Sequence, residues 1–572
     1  MDFEQARKAF DAWRASYPAD LYGSDAALRL LNRRGLAGDQ ARLDALESDA
    51  TAFGRAVVDV IGPATQRYEH RSHLPELQRY DADGRAIEAV RFDPSYHEAG
   101  RAVWASGAVA HSGTPGRAFE QATLLYLLST EGEAGHACPA TCTIGLARAL
   151  RRRGDDAVRE RFLTPLLERD YDRVERGSQF LTEVQGGSDV GANASVAEPL
   201  GDGRYRVTGE KWFCSVADAQ QFLLTARVAG GPAGTKGLGC FVMPREIDGH
   251  PNGFRIRRLK EKLGTRGLAS GEIDLDGAIA WPIGPVDEGF KTAVGVVLNT
   301  SRWATALGSV GIMRRAFLEA SGFARARTAF GRPIAEFPLV RSLVARMKAE
   351  WLGSLHATWM LTGFDDAIDA GTADEETTLL HRFLVNANKF HASIEATAVV
   401  RDGIEVFGGN GTIEEFSVLP RLYRDAIVYE SWEGTHNVLV NQVLNDSRRL
   451  PLMRALHARL ASMLDAAASA DGAAAATIAR DVLDKAVEGA ARSVDDPAYG
   501  AAHFRTYLTR LMVVTQVAVL LDTASDGGAT ASELVAAADH LARNRLDPGY
   551  RAETDDAYAE RVDAVLGSDL RP

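Results

Sequence analysis

The sequence predicts a mainly α-helical protein with an antiparallel β domain inserted near residue 176 and a helical extension at its C-terminal end. Three observations lead there. Apolar residues recur at three- and four-residue spacing in AFEQATLLYLLST and TCTIGLARALRRRG. Between about 178 and 288 the pattern breaks into short β-rich runs separated by Gly, Pro and Asp turns, and from about 290 long helical runs return. At 572 residues the chain exceeds one hydrophobic core and accommodates roughly three or four structural units.

Taken in order, residues 1–60 read as a helical arm with a break near Gly35 and Gly38, and 61–175 as an α domain. Within the latter, LPELQRYDADGRAIEAVRFDP looks like a projecting arm that turns at Asp83-Gly84. Residues 176–288 contain RYRVTGEKWF, QFLLTARVAG, GLGCFVMPRE, GFRIRRLKE and GEIDLDGAIAW, with Asp202-Gly203 placed for a tight hairpin. Five such runs suggest an antiparallel barrel or sandwich. Residues 289–445 read as a bundle of four long helices, the last following WEGTHNVLVNQVL. Residues 446–572 form an Ala-rich helical extension with a loop near Ser525.

Composition narrows the function classes. Apolar residues at 46% and charged residues at 25% are ordinary for a globular protein. A net charge of -12 repels phosphate backbones, so nucleic acid is not an expected partner. Cys138 and Cys142 lie in an apolar run without the His/Cys spacing of a zinc site, so no metal is expected there. The first twenty residues lack an apolar signal region, and the stretch LMVVTQVAVLL (511–521) is too short to span a bilayer. The expectation is a cytoplasmic protein without a membrane segment.

Four segments carry candidate chemistry. In FLTEVQGGSD, Gly186 and Gly187 let a ligand approach the backbone and Ser188 offers a hydroxyl to phosphate; a polar hairpin turn has the same composition. In GEKWFCS, Trp212 and Phe213 offer an aromatic face and Ser215 a hydroxyl at its edge; a core aromatic pair is the plain alternative. In RTAFGRPI, Arg327 suits a bidentate grip on pyrophosphate, or equally a cation at a helix end followed by a Gly cap. In EVFGGNGTIEEFSVLPRLYRDAIVYESWEGTHN, Gly408, Gly409 and Gly411 make a turn open to a ligand, without the strand that a dinucleotide fold requires before it. Glu433 lies between Trp432 and Gly434. Partial desolvation there would raise its pKa and suit it to proton abstraction; a solvent-facing Glu at a helix start is the alternative.

TEVQGGSD, GEKWFCS, LGTRGLAS, RTAFGRPI, FGGNGT and LPRLYRDAIVYESWEGT, in this order, resemble the signatures of the acyl-CoA dehydrogenases over roughly residues 60–450. The resemblance implies the fold of that family, a helical N-terminal domain, β-barrel and four-helix bundle, here with an added helical extension. It implies FAD between the barrel and the bundle, completed by a second subunit of a homotetramer. Thr182 and Ser215 would contact the flavin ring, Phe213 would lie against it, and Gly187 and Ser188 would approach a phosphate. Arg327, with Phe330 in the same motif, would serve the FAD of a neighbouring subunit, Gly408, Gly409 and Gly411 its adenine end, and Thr435 and Asn437 the flavin. Glu433 would take the α-proton of an acyl-CoA thioester while the β-carbon yields a hydride to flavin N5. An electron-transfer flavoprotein is the electron acceptor in typical relatives.

LQRYDADGRAIEAVRFDPSYH, GHACPATCT, FGRPIAEFPLVRSLVARM and the long extension narrow the resemblance to the AidB-like branch, associated with alkylation stress and in some members with DNA. Here the chain departs from it: residues 446–572 hold 14 Lys+Arg against 19 Asp+Glu, a balance of 14 - 19 = -5. That balance opposes duplex binding. The leading expectation is acyl-CoA dehydrogenation. A stress flavoprotein with weak dehydrogenase activity, and a binding protein for acyl-CoA or DNA without turnover, are the alternatives.

Overall fold

The computed structural model describes residues 3–468 and 471–570. They cluster into two compact units: one of Met1–Arg55, Ser129–Gly132 and Thr305–Pro572, the other of Ala56–Leu128 and Glu133–Ala304.

The first unit is helical throughout. Helices Pro338–Ala370 and Glu375–Phe407, each 33 residues, are its long antiparallel pair. Gly371 ends the former in the left-handed region (φ 73), and the Asp374 carboxylate caps the latter by accepting from Thr377 N at 2.7 Å. Glu375 and Glu376 then sit where the positive end of the helix dipole favours them. The N-terminal helix Phe3–Ala15 packs Trp13 onto Phe323, Phe407 and Phe416 at ring distances of 5.6, 5.1 and 5.3 Å. Its indole N–H donates to Glu319 at 3.0 Å, so the one polar atom of a buried ring is satisfied.

Two expectations need correction. LPRLYRDAIVYES forms its own helix, Leu419–Ser431, and the helix after WEGT, His436–Ser447, is only 12 residues. The bundle is therefore two long helices with Asn299–Ala326 and a pair of short ones, because Gly434 and the bend around it break the run. Residues 511–521 belong to the longer helix Pro497–Ala524, which has the length and apolarity to cross a membrane. Within its apolar window 72% is buried against the other helices of the unit, which is the situation of a core helix.

The second unit holds the β domain. Strands Gln221–Val228, Leu238–Pro244, Ser270–Pro282, Tyr205–Ser215 and Val196–Pro199 pair in a closed ring, with Phe254–Leu259 and Gly177–Phe180 added outside it. Closure removes the exposed edges of an open sheet. Most pairings are antiparallel as expected; Gly177–Phe180 and Val196–Pro199 run parallel to Gln221–Val228. Asp202 closes the hairpin before Tyr205, accepting from Arg204 N at 3.1 Å between Gly201 (φ 86) and Gly203 (φ 83). Helix Ala137–Arg153 covers the sheet through Leu146, Leu150 and their contacts with Leu223 and Val242. The arm at Asp83-Gly84 is a two-stranded hairpin, Glu76–Tyr80 with Ala86–Arg91.

A buried ion pair joins two of the sequence motifs. Lys211, in GEKWFCS, donates from Nζ to Glu183 Oε1 at 2.7 Å and to Thr225 O at 2.7 Å. Glu183, in TEVQGGSD, also accepts from Ala194 N at 2.6 Å and Ser195 N at 3.2 Å. Burial opposes both charges, but the Lys211 ammonium and these donors hold the Glu183 carboxyl below its ordinary range. Replacing Lys211 by Met leaves that carboxylate buried without its cation, and we expect a loss of about 3–5 kcal/mol in urea denaturation. Because the folded-state pKa of Glu183 lies below its unfolded value, the pair contributes fully above the unfolded value and is lost as pH falls through the folded one. The deficit of Lys211→Met should therefore shrink on acidification, and a deficit independent of pH would contradict the assignment.

Candidate active site

In the second unit the two motifs tied by Lys211 run side by side. Trp212 N donates to Thr182 O at 2.9 Å, and Ser178 Oγ donates to the Ser215 carbonyl. Thr182 is half-buried, and Gly187 packs onto it so closely that a Cβ there would come within 3.0 Å of Thr182 Cγ2. Ser188 follows on the exposed side of the turn. Ser215 Oγ lies 3.3 Å from Ser270 Oγ, which in turn accepts from Lys262 Nζ at 3.0 Å, bringing LGTRGLAS to the same place. The Lys260 ammonium lies over both the Trp212 ring at 3.4 Å and the Phe213 ring at 4.8 Å, and Phe213 remains 55% exposed. An apolar face that large on a strand end is suited to a planar partner. Thr182, Gly187, Ser188, Phe213 and Ser215 are thus gathered along one stretch of the barrel.

The helical unit carries the rest at two separate places. Arg327 begins a hairpin closed by Ile334 N donating to its carbonyl at 2.8 Å, with Thr328–Ala329 paired to Arg332–Pro333. Phe330 (φ 51) and Gly331 (φ 86) form its two-residue tip, a left-handed turn that ordinarily takes Asn-Gly. Phe330 is 97% exposed. The Arg327 guanidinium rests over the Phe10 ring at 5.9 Å and has no carboxylate partner among the described residues. Phe10 packs in turn on Phe416, close in sequence to the glycine turn. Gly408 (φ 61) ends helix Glu375–Phe407, and Gly408 and Gly409 face open space, whereas a Cβ at Gly411 would strike Ile404 O at 2.8 Å.

Glu433 lies beyond the other end of helix Leu419–Ser431, whose 13 residues span about 20 Å. Within one chain, the Arg327 and glycine-turn group is therefore not brought together with the Glu433 group. Glu433 is half-buried and has φ 55, with Gly434 at φ 103. The bend is clamped from inside. Lys389, wholly buried on helix Glu375–Phe407, donates to Glu430 O at 2.9 Å and to Gly434 O at 3.1 Å, holding one carbonyl on each side of it. From outside, Glu430 accepts from His436 Nε2 at 2.9 Å and Thr397 Oγ1 at 2.5 Å. Partial burial works against the Glu430 charge, but these hydrogen bonds keep its carboxyl below the usual range. Thr435 is the exposed N-cap of His436–Ser447, without a side-chain cap bond. Asn437 is exposed and accepts from Arg505 Nη1 of the extension at 3.1 Å.

Sequence reasoning missed Lys389, Glu430, His436, Glu183 and Lys211. A lone Lys inside ANKFHASIEA, and charges inside otherwise apolar strands, were the available signals. Backbone strain marks the same motifs. Six described non-glycine residues have positive φ, and four of them, Val216, Thr265, Phe330 and Glu433, lie in or beside GEKWFCS, LGTRGLAS, RTAFGRPI and WEGT. Each costs on the order of 1–3 kcal/mol and persists only where its surroundings enforce it, a pattern typical of functional sites.

Comparison with known proteins gives the family. Residues 14–173 match the adaptive response protein AidB N-terminal domain, 178–278 the acyl-CoA dehydrogenase middle domain, and 287–447 the acyl-CoA dehydrogenase C-terminal domain. AidB of Escherichia coli (strain K12) is 36% identical over 446 residues, covering 74% of this chain and 77% of that one. Acyl-CoA dehydrogenase family member 11 of Caenorhabditis elegans is 31% identical, over 69% and 66%. The crystal structure of Caenorhabditis elegans ACDH-11, in complex with C11-CoA, superposes with a TM-score of 0.86 at 26% identity, over 95% of this chain and 94% of that one. The matched domains and the 36% identity to AidB make this chain a member of the acyl-CoA dehydrogenase family of FAD-binding oxidoreductases, one that carries the AidB N-terminal domain.

Proposed function

We propose that the protein removes the α-proton and a β-hydride from an acyl-CoA thioester, with Glu433 as the base. The observation that carries this reading is the carboxylate held at φ 55 in a bend fixed on both sides by Lys389, at the motif position of the family's base.

The residues fit FAD. The exposed Phe213 face, the hydroxyls of Thr182, Ser188 and Ser215, the flush backbone at Gly187, and an Arg327 without a carboxylate partner are the donor set of a planar ring joined to a diphosphate. When bound, FAD supplies the two-electron acceptor of the reaction. Thr182 and Ser215 would orient the ring. Arg327 and the Gly408 to Gly411 turn would serve the diphosphate and adenine of a neighbouring subunit's cofactor, since about 20 Å of helix separates them from Glu433 in their own chain. The exposed Phe330 tip supports such an assembly, read here as a homotetramer. Glu433 would hold the abstracted proton, and the rigid bend keeps its carboxylate from drifting out of line with the α-carbon. An electron-transfer flavoprotein would reoxidise the enzyme.

The AidB N-terminal match favours a second reading, a stress-response flavoprotein with weak dehydrogenase activity. Anaerobic bleaching of the flavin by a panel of acyl-CoAs separates the two: rapid bleaching by one chain-length class supports dehydrogenation, and no bleaching by any of them removes it. We expect Glu433→Gln to retain flavin and to slow bleaching by at least about 10²–10⁴-fold. Unchanged bleaching would eliminate Glu433 as the base. Arg327→Ala should lower the ratio of flavin to protein absorbance after gel filtration, and full occupancy in that variant would rule out its diphosphate role.

A further inference from the structure

Away from the motifs, the helical unit contains a buried cluster that the proposed reaction does not use. Glu350 lies on helix Pro338–Ala370, and His391 and Glu395 lie four residues apart on Glu375–Phe407, hence on one face. They are 1%, 2% and 7% exposed, and one ligand atom from each falls within 4.8 Å of the others. Gln516, fully buried on helix Pro497–Ala524, faces the His391 ring. Its Nε2 donates to Ser354 Oγ at 3.0 Å, which turns Oε1 the other way.

Glu350 Oε2 has no hydrogen-bond partner, and His391 Nε2 and Gln516 Oε1 have none at ordinary geometry although the Gln516 side chain acts on the His391 ring. Buried polar atoms are nearly always satisfied, so the open Glu350 oxygen beside an imperfectly paired His391 and Gln516 calls for something that binds them together. The local cation does not meet the need. Arg545 donates to Glu395 Oε1 at 2.7 Å, to Glu395 Oε2 at 3.2 Å and to Glu350 Oε1, and leaves Glu350 Oε2 open. Arg346, the next cation, is paired with Asp402. His391 and Arg346 also act on these carboxylates at longer range, and neither fills the open Glu350 Oε2.

We propose that Glu350, His391, Glu395 and Gln516 form a binding site for one divalent transition-metal ion. One imidazole, two carboxylates and a carboxamide oxygen are the donor set of Zn²⁺, Mn²⁺ or Fe²⁺. Donor atoms about 2.1 Å from a tetrahedral ion stand about 3.4 Å apart, so side-chain shifts of about 1 Å close the cluster onto it. Paired helices projecting His and carboxylates inward are an established way for bundles to hold metals. Gln516 and Arg545 both belong to the C-terminal extension. The ion would therefore fasten the extension to the two long helices of the bundle.

The test uses the full-length flavoprotein, stripped with a chelator, desalted and titrated with Zn²⁺ and, separately, Mn²⁺. Metal content by mass spectrometry should reach one equivalent per chain after gel filtration, with an upward shift in Tm. Glu350→Gln and His391→Gln, checked for native circular dichroism and unchanged flavin content, should each lose that equivalent and the shift. Substoichiometric metal in the wild-type chain overturns the proposal whether or not the variants fold. So does an equivalent retained equally by both variants, because the ion would then be bound elsewhere.

Discussion

One buried ammonium fixes the most consequential geometry in the molecule. Lys389 reaches from the interior of a 33-residue helix to the carbonyls of Glu430 and Gly434, which flank Ser431, Trp432 and Glu433, and without it both would lose a charge-assisted hydrogen bond. One of these carbonyls closes the last turn of a helix, where the dipole favours a cation and no intrahelical donor is available. The left-handed backbone of Glu433 is the result. A free chain would relax it, but the clamp inside and the Glu430–His436 contact outside leave no room to do so.

The barrel solves a related problem with the same means. The loop at 183–189, which has no regular ladder, must keep its spacing from strand Tyr205–Ser215. The Lys211–Glu183 pair provides it, with Glu183 also collecting the backbone donors of Ala194 and Ser195. A buried ion pair adds little net stability, but it penalises every arrangement in which the partners separate. In both units, then, charge is buried to enforce position close to where strain is stored.

Much of this was legible beforehand, and the boundary is physical. Periodicity located the helices and strands, and the turns at Asp83-Gly84 and Asp202-Gly203 declared themselves because their residues carry the conformational preference locally. Thr182 and Gly187 lie in the loop after strand Gly177–Phe180, beside Phe213 and Ser215 on strand Tyr205–Ser215. What escaped depends on separations in sequence. Lys389 acts on residues 41 and 45 positions away, and Glu183 meets Lys211 across 28. No local pattern encodes such a pairing. The helix Leu419–Ser431 was hidden by the glycines on either side of it. The division of the candidate site residues between the two ends of that helix follows only once the helix is seen.

The first unit is assembled from three stretches of chain, with a four-residue visit by Ser129–Gly132 between its two ends. Arg421 donates to the carbonyls of Glu131 and Gly132, so that visit is anchored rather than incidental. A ribosome delivers the opening segment first, yet the aromatic rings that bury Trp13 stand at Phe323, Phe407 and Phe416. At about 5–20 residues per second, several hundred intervening residues take tens of seconds to emerge. Throughout that interval the amphipathic leader has no native surface to cover it, and its closing contacts are among the most non-local in the chain. The first unit is therefore closed late in synthesis, once the rings that cover Trp13 have emerged.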